Sequence, residues 1–333
     1  MKHLIPVKSR RLPRACRRGV DSVYHVVSRI NGRSFFLTDV EKEAFASLLK
    51  RVAGFCGVDV ITFALLDNHF HLLIEVPGKT GEMSDEALLE RARLLYGEER
   101  KRQPLSLARI KAAFKAGDEV REAMRGLLMR RMASLPMFMK ILKQRYSILF
   151  NRKYDRVGTL WEGRFRSVLV ENTRVALRAV AAYIDLNAVR AGIVSDPKDY
   201  RYSGYGAAVG CGRLSTYSLW NRIAENSGDS PKAVAARYRE YLYLVGSDPR
   251  KGRPLPEAER SRVKREAGHI GRGRQLHCRL RYMTQGVIIG TRAFVSEWMN
   301  QRRAAAGSMR GKNPAVACGF DEDGLFTASG RTG

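Results

Sequence analysis

The chain has 333 residues, with 60 lysines and arginines against 33 aspartates and glutamates and a formal net charge of +27. Hydrophobic residues make up 44% of it, enough for a packed core, and no run of about 18 apolar residues exists to span a membrane. So large an excess of one sign repels itself in a compact fold, so the composition favours a polyanionic partner, nucleic acid ahead of an acidic membrane surface. The five cysteines, Cys16, Cys56, Cys211, Cys278 and Cys318, are scattered and never in CxxC spacing. That pattern argues for reduced thiols in a cytoplasmic protein and against a zinc ribbon.

Residues 1–20 read as a basic arm that includes Arg14, Arg17 and Arg18 and lacks the apolar core of a signal peptide. Val23–Ser28 is strand-like. Thr38 and Glu41 have capping-box spacing ahead of a helix that runs to about Phe55, with Gly57 as its stop. Two apolar runs, Val58–Leu66 and His69–Val76, flank Asp67-Asn68, a tight-turn pair, and predict a hairpin. Strand–helix–strand–strand is the opening of a ferredoxin-like α+β domain, an antiparallel sheet with covering helices. On the third strand the two-residue period puts His69 and His71 on one face, a pincer suited to a divalent metal. His25, on the first strand, is close enough in that topology to approach the pair, although a packed core histidine fits equally.

Residues 78–133 are charged and helical, an insertion without recognisable chemistry. Ser134-Leu135-Pro136 starts a helix that runs to about Arg152. It carries Lys143, Arg145, Tyr146, Phe150, Asn151 and Arg152, and a tyrosine among cations is well placed to meet a phosphate. Arg164–Val170 alternates like a fourth strand, with Arg164 and Arg166 on one face. Asn172 opens a helix over about 173–189 with Gly192 as its stop; Asp185 and Asn187 near its end suit helix-end hydrogen bonding or a polar site. Composition shifts after residue 212. A C-terminal helical extension covers 213–303, and a Gly/Ala/Ser-rich, disordered tail covers 304–333. The main domain is 21–212.

Five stretches together carry a resemblance: Gly19-Val20 into Tyr24-His25-Val26-Val27-Ser28-Arg29; Asn68-His69-Phe70-His71-Leu72-Leu73; Arg145-Tyr146 through Asn151-Arg152; Gly158-Thr159-Leu160-Trp161-Glu162-Gly163-Arg164-Phe165; and Tyr183-Ile184-Asp185-Leu186-Asn187-Ala188-Val189-Arg190-Ala191-Gly192. In this order, over roughly residues 12–206, they resemble the IS200-like Y1 transposases, HUH single-strand nucleases, and within them the REP-associated tyrosine transposases. The resemblance implies a metal-dependent single-strand DNA endonuclease and strand transferase acting on hairpin or repeat DNA through a 5′-phosphotyrosine. It implies His69 and His71 as ligands of Mg²⁺ or Mn²⁺, with Phe70 between them, and matches Tyr146 to the nucleophile.

Relatives commonly place a third, polar ligand one turn after the tyrosine. Position 150 is phenylalanine, so the third ligand stays open between Asn151 and Glu75. Arg14, Arg17, Arg18, Lys143, Arg145, Arg152, Arg164 and Arg166 would meet phosphates, and Trp161 could stack on a base or sit in the core. The alternative is a non-catalytic DNA- or RNA-binding regulator on the same fold. Monomer and homodimer both remain compatible with the sequence.

Overall fold

The computed structural model describes residues 19–33, 37–96, 105–210, 218–246, 254–267, 286–306, 315–316 and 325–329. The expected opening is present as β1 (Ser22–Arg29), α1 (Asp39–Cys56), β2 (Asp59–Leu65) and β3 (His69–Val76). Gly57 ends α1 in the left-handed region, φ 67°, a conformation glycine adopts without steric cost. The turn between β2 and β3 is two residues long, closed by Leu66 N–H donating to the His69 carbonyl at 2.8 Å. The charged insertion forms α2 (Asp85–Tyr96), α3 (Leu107–Phe114) and α4 (Asp118–Met129). Its charges partly serve one another: Asp85 accepts from Arg121 at 2.6 Å and also from Arg125.

Helix α5 (Leu135–Lys153) follows, with the Ser134 hydroxyl accepting from Met137 N–H as its cap. Then come β4 (Arg166–Val170), α6 (Arg174–Asp185) and the short α7 (Asn187–Arg190). The cap of α6 is Thr173, accepting from Ala176 N–H, while Asn172 donates to Glu75 at 2.9 Å. Beyond it lie α8 (Gly204–Gly210), α9 (Leu219–Ile223), α10 (Pro231–Gly246) and α11 (Glu257–Ala267).

The first four strands lie in the order β2-β3-β1-β4, every neighbour antiparallel. This is the ferredoxin-like arrangement of an α+β domain. The sheet then continues beyond β4. Strand β5 (Gly286–Thr291) pairs parallel to it, followed by β7 (Leu325–Ser329) and β6 (Ala315–Val316). The C-terminal part is therefore not purely helical, although α12 (Arg292–Ala306) follows β5 directly. Within 304–333 the described segments are the end of α12, β6 and β7; the rest of that stretch lies outside the described residues. Among the described residues no helix is long and apolar enough to cross a membrane.

Alternation along β3 and β1 splits the core in two. One face carries Tyr24, Val26, Phe70 and Leu72 and is covered by α1 and α5 through Phe45, Leu49, Phe138, Leu142 and Tyr146. The other carries Val23, Leu73, Val168 and Val170 and is covered by α6 through Leu177, Val180 and Ile184, with α8 to α10 outside it. Each fully buried aliphatic chain in these layers contributes roughly 1.5–3 kcal/mol. Asp185, wholly buried on α6, ties the second layer together. It accepts from Thr62 of β2 at 2.9 Å and from Tyr238 of α10 at 2.7 Å.

Candidate active site

The hairpin sets the geometry of the imidazoles. His69 and His71 do share a strand face, with ring centroids 5.0 Å apart. His71 is 2% exposed. The face they share is the α6 face, because Phe70 between them is on the other side, packed on Phe45 at 4.8 Å and Trp161 at 5.5 Å.

That alternation decides the fate of Tyr146. Its ring packs on Phe45 at 4.9 Å and Trp161 at 6.0 Å, in the same aromatic cluster as Phe70. It is 1% exposed, and its hydroxyl donates to the Glu41 carbonyl at 3.1 Å. Burial pushes this phenol well above its ordinary pKa, with the Glu41 carboxylate and Tyr154 adding to the rise. Tyr146 thus lies across the sheet from both imidazoles, as a core residue joining α5 to α1. The expectation that it meets them is corrected: α5 covers the face that the histidines do not use.

A different tyrosine meets them. Tyr183, near the end of α6 and 7% exposed, presents its ring edge-on to His25 and His71, at 5.7 Å from each centroid. One helical turn further, Asn187 is half-buried and donates its amide to the Tyr183 carbonyl at 2.8 Å. The spacing had one available signal. A tyrosine followed four residues later by a carboxamide occurs at 183 and 187, whereas 146 is followed by Phe150.

Two arginines flank this group. Arg29 is exposed at the end of β1, its Cα paired with His69 across the ladder, so both side chains rise from the same face. Arg190 lies over the Tyr183 ring at 5.3 Å and donates to the Tyr183 carbonyl at 3.3 Å. Burial pushes the Tyr183 phenol up, and Arg190 and Arg29 pull it back. Burial lowers His69 to about 4, with Arg29 adding to the fall and Asp67 opposing it. His71 is held well below its usual range by burial, then by His25, His69 and the two arginines. Both imidazoles are therefore neutral near neutral pH, the form that ligates a metal.

The donor set fits a divalent cation. His69 Nδ1 is 2.6 Å from the Asn68 Oδ1, and His71 Nδ1 is 3.0 Å from His25 Nε2. Each ring has its Nδ1 engaged, so Nε2 is the atom left to ligate. Among the described residues no group of three or more His, Cys, Asp and Glu side chains gathers at one point.

Neither expected third ligand is near. Asn151 donates to the Gly158 carbonyl at 2.9 Å on the far helix. Glu75, at the opposite end of β3, is paired with Arg222 at 2.6 Å. Of the expected DNA contacts, Arg166 is exposed, and its pairing with Val27 places it on the histidine face beside Arg29. Arg164 and Arg152 are exposed. Trp161 is buried, its indole donating to the Lys143 carbonyl at 3.1 Å, and is no stacking platform. Lys143 donates to the Gly163 carbonyl at 2.7 Å, and Arg145 packs on the Tyr96 ring at 4.9 Å. Arg14, Arg17 and Arg18 lie outside the described residues.

Residues 20–84, which run from β1 through the histidine hairpin, match the family model described as "Transposase IS200 like". This segment is similar to the IS200-like transposases. Among solved structures, a REP-associated tyrosine transposase bound to a REP hairpin is similar at 13% identity and a TM-score of 0.38, over 66% of this chain and 98% of that one. No curated protein matches. Within the matched segment lie His25, Arg29, His69 and His71; Tyr183 on α6 and Asn187 and Arg190 on α7 lie beyond it.

Proposed function

We propose that the protein is a metal-dependent single-strand DNA endonuclease and strand transferase, a transposase acting on hairpin or repeat DNA, with Tyr183 as its nucleophile. The observation that carries this reading is the ring of Tyr183 set against His71 and His25 on the one sheet face that presents His69. The +27 charge and the cationic row Arg29, Arg166 and Arg190 fit a polyanionic strand laid across that face.

The phenol oxygen of Tyr183 attacks a backbone phosphorus, and the bond from phosphorus to the 3′-oxygen breaks. A 5′-phosphotyrosine and a free 3′-hydroxyl result; the proton lost by the phenol is matched by the one gained at the released oxygen. Attack by another 3′-hydroxyl reverses the step and rejoins strands without ATP, because the phosphotyrosine conserves the phosphodiester's energy. His69 and His71 would hold Mg²⁺ or Mn²⁺ through Nε2, and the side-chain oxygen of Asn187, one turn after the tyrosine, would be the third donor. The cation, when bound, neutralises charge on the non-bridging oxygens and orients the phosphate. Arg190 and Arg29 stabilise the developing phenolate and hold the phosphate near it.

The test is to incubate the protein with end-labelled hairpin DNA and Mn²⁺ and to look for a denaturation-resistant adduct. The reading predicts an adduct in the wild type and in Tyr146→Phe, and none in Tyr183→Phe or with EDTA. Salt-sensitive binding with no adduct and no nick in any variant would instead establish the DNA-binding regulator.

A further inference from the structure

His25 is a wholly buried imidazole on β1, inside an apolar layer. It is the diagonal neighbour of His71: the ladder pairs His71 with Val27 and His25 with Leu73. The two rings stack at 5.2 Å with planes 17° apart. The contact is also polar, with His25 Nε2 at 3.0 Å from His71 Nδ1. Only one proton can occupy that line, and it has two possible owners. If His25 owns it, a neutral His71 carries its own proton on Nε2 and cannot ligate through that atom. If His71 owns it, Nε2 of His71 is a free lone pair. His69 meets the same requirement without ambiguity, since the Asn68 side-chain oxygen can only accept. A packing role alone would need neither the nitrogen-to-nitrogen alignment nor an imidazole.

We propose that His25 is the positioning residue for His71: it accepts the His71 Nδ1 proton and so fixes both the tautomer and the ring plane that turn Nε2 toward the metal. The inference rests on the metal reading of His69 and His71 given above. A buried acceptor behind a ligating imidazole raises its basicity and removes the alternative tautomer, and loss of such a partner weakens metal binding by about 10–100-fold.

Isothermal titration of the full-length protein with Mn²⁺, without DNA, tests it in four variants. His25→Phe keeps the stacked ring and removes the acceptor; about a 10–100-fold loss of Mn²⁺ affinity is expected. His25→Gln supplies a carboxamide oxygen to the His71 Nδ1 proton and should recover most of that loss. Hairpin binding in EDTA should match the wild type in both. Unchanged affinity in His25→Phe, with affinity lost in His71→Ala, overturns the role of His25 and leaves the metal site standing. So does a loss that His25→Gln fails to recover. Wild-type affinity in His71→Ala and His69→Ala overturns the metal reading itself. Should His25→Phe fold poorly, long-range ¹H–¹⁵N spectra of the wild-type protein decide the point. A protonated Nδ1 and bare Nε2 on His71 are expected, and the reverse tautomer refutes the proposal.

Discussion

At the scale of single residues, the site depends on which face of one strand a side chain takes. His69 and His71 look toward α6, and Phe70 looks toward α5 with Tyr146 packed beyond it. Substituting the two tyrosines should therefore have opposite signatures. Tyr146→Phe removes one buried hydrogen bond to the Glu41 carbonyl, so a stability loss of about 0.5–1.5 kcal/mol by urea denaturation is expected, with adduct formation intact. Tyr183→Phe should unfold like the wild type and form no adduct. Arg190→Ala and Arg29→Ala should slow adduct formation at saturating DNA, read as a single-turnover rate, because both cations lie beside the phenol. A rate unchanged in both would remove them from the phosphate's surroundings.

The residue-level pattern was only half legible beforehand. The histidine pincer is visible in the sequence because a strand's period is fixed at two. The tyrosine is not, because nothing local to 146 or 183 tells which side of the sheet its helix will cover. Both helices are amphipathic, both carry a tyrosine near arginines, and only the chain's path across the sheet separates them. The carboxamide at position 187 was the available clue, set beside the phenylalanine at 150.

At the scale of elements, α1, α5 and α6 are each fastened by a polar group within an apolar layer. Thr38 and Glu41 have capping-box spacing, yet Thr38 makes no side-chain cap to the backbone. Glu41 instead accepts from Thr38, from Lys153 and from the Tyr154 hydroxyl at 2.6 Å, joining the start of α1 to the end of α5. Burial would raise this carboxyl, but the hydrogen bonds from Lys153, Thr38 and Tyr154 bring it down to about 2. A depressed carboxylate stabilises the fold above its unfolded pKa and loses that contribution as pH falls toward the folded one. The stability advantage of wild type over Glu41→Gln should hold at neutral pH and shrink from about pH 4.5 down to about 2. A difference that is flat over that window would show the carboxylate to be unimportant.

Asp185 fastens α6 in a similar way. Asp185→Ala removes the acceptor used by Thr62 and Tyr238 and should cost about 1–3 kcal/mol. The order of helices and strands was readable from turn and cap residues. These cross-links were not, since they join residues more than 50 positions apart in the chain.

At the scale of the whole molecule, the charge and the sheet edge matter most. The excess of cations predicts hairpin binding that weakens steeply with salt, whatever the chemistry. Arg166→Ala should lower the slope of log affinity against log salt by about 1 if that side chain meets a phosphate, and EDTA should leave the slope unchanged. The sheet's continuation through β5, β7 and β6 escaped sequence analysis because its strands are short and separated by long polar stretches, so no hairpin signal joins them. The covering of α6 by α9 and α10 was invisible for the same reason: it is contact at long range.

The measurement that bears most directly on the central claim is the address of the covalent bond. Trypsin digestion of the protein–DNA adduct, followed by mass spectrometry, separates the two candidates, since residues 179–190 and 146–152 fall on different peptides. A nucleotide on Tyr183, within residues 179–190, is the predicted result. A nucleotide on Tyr146 would contradict the account.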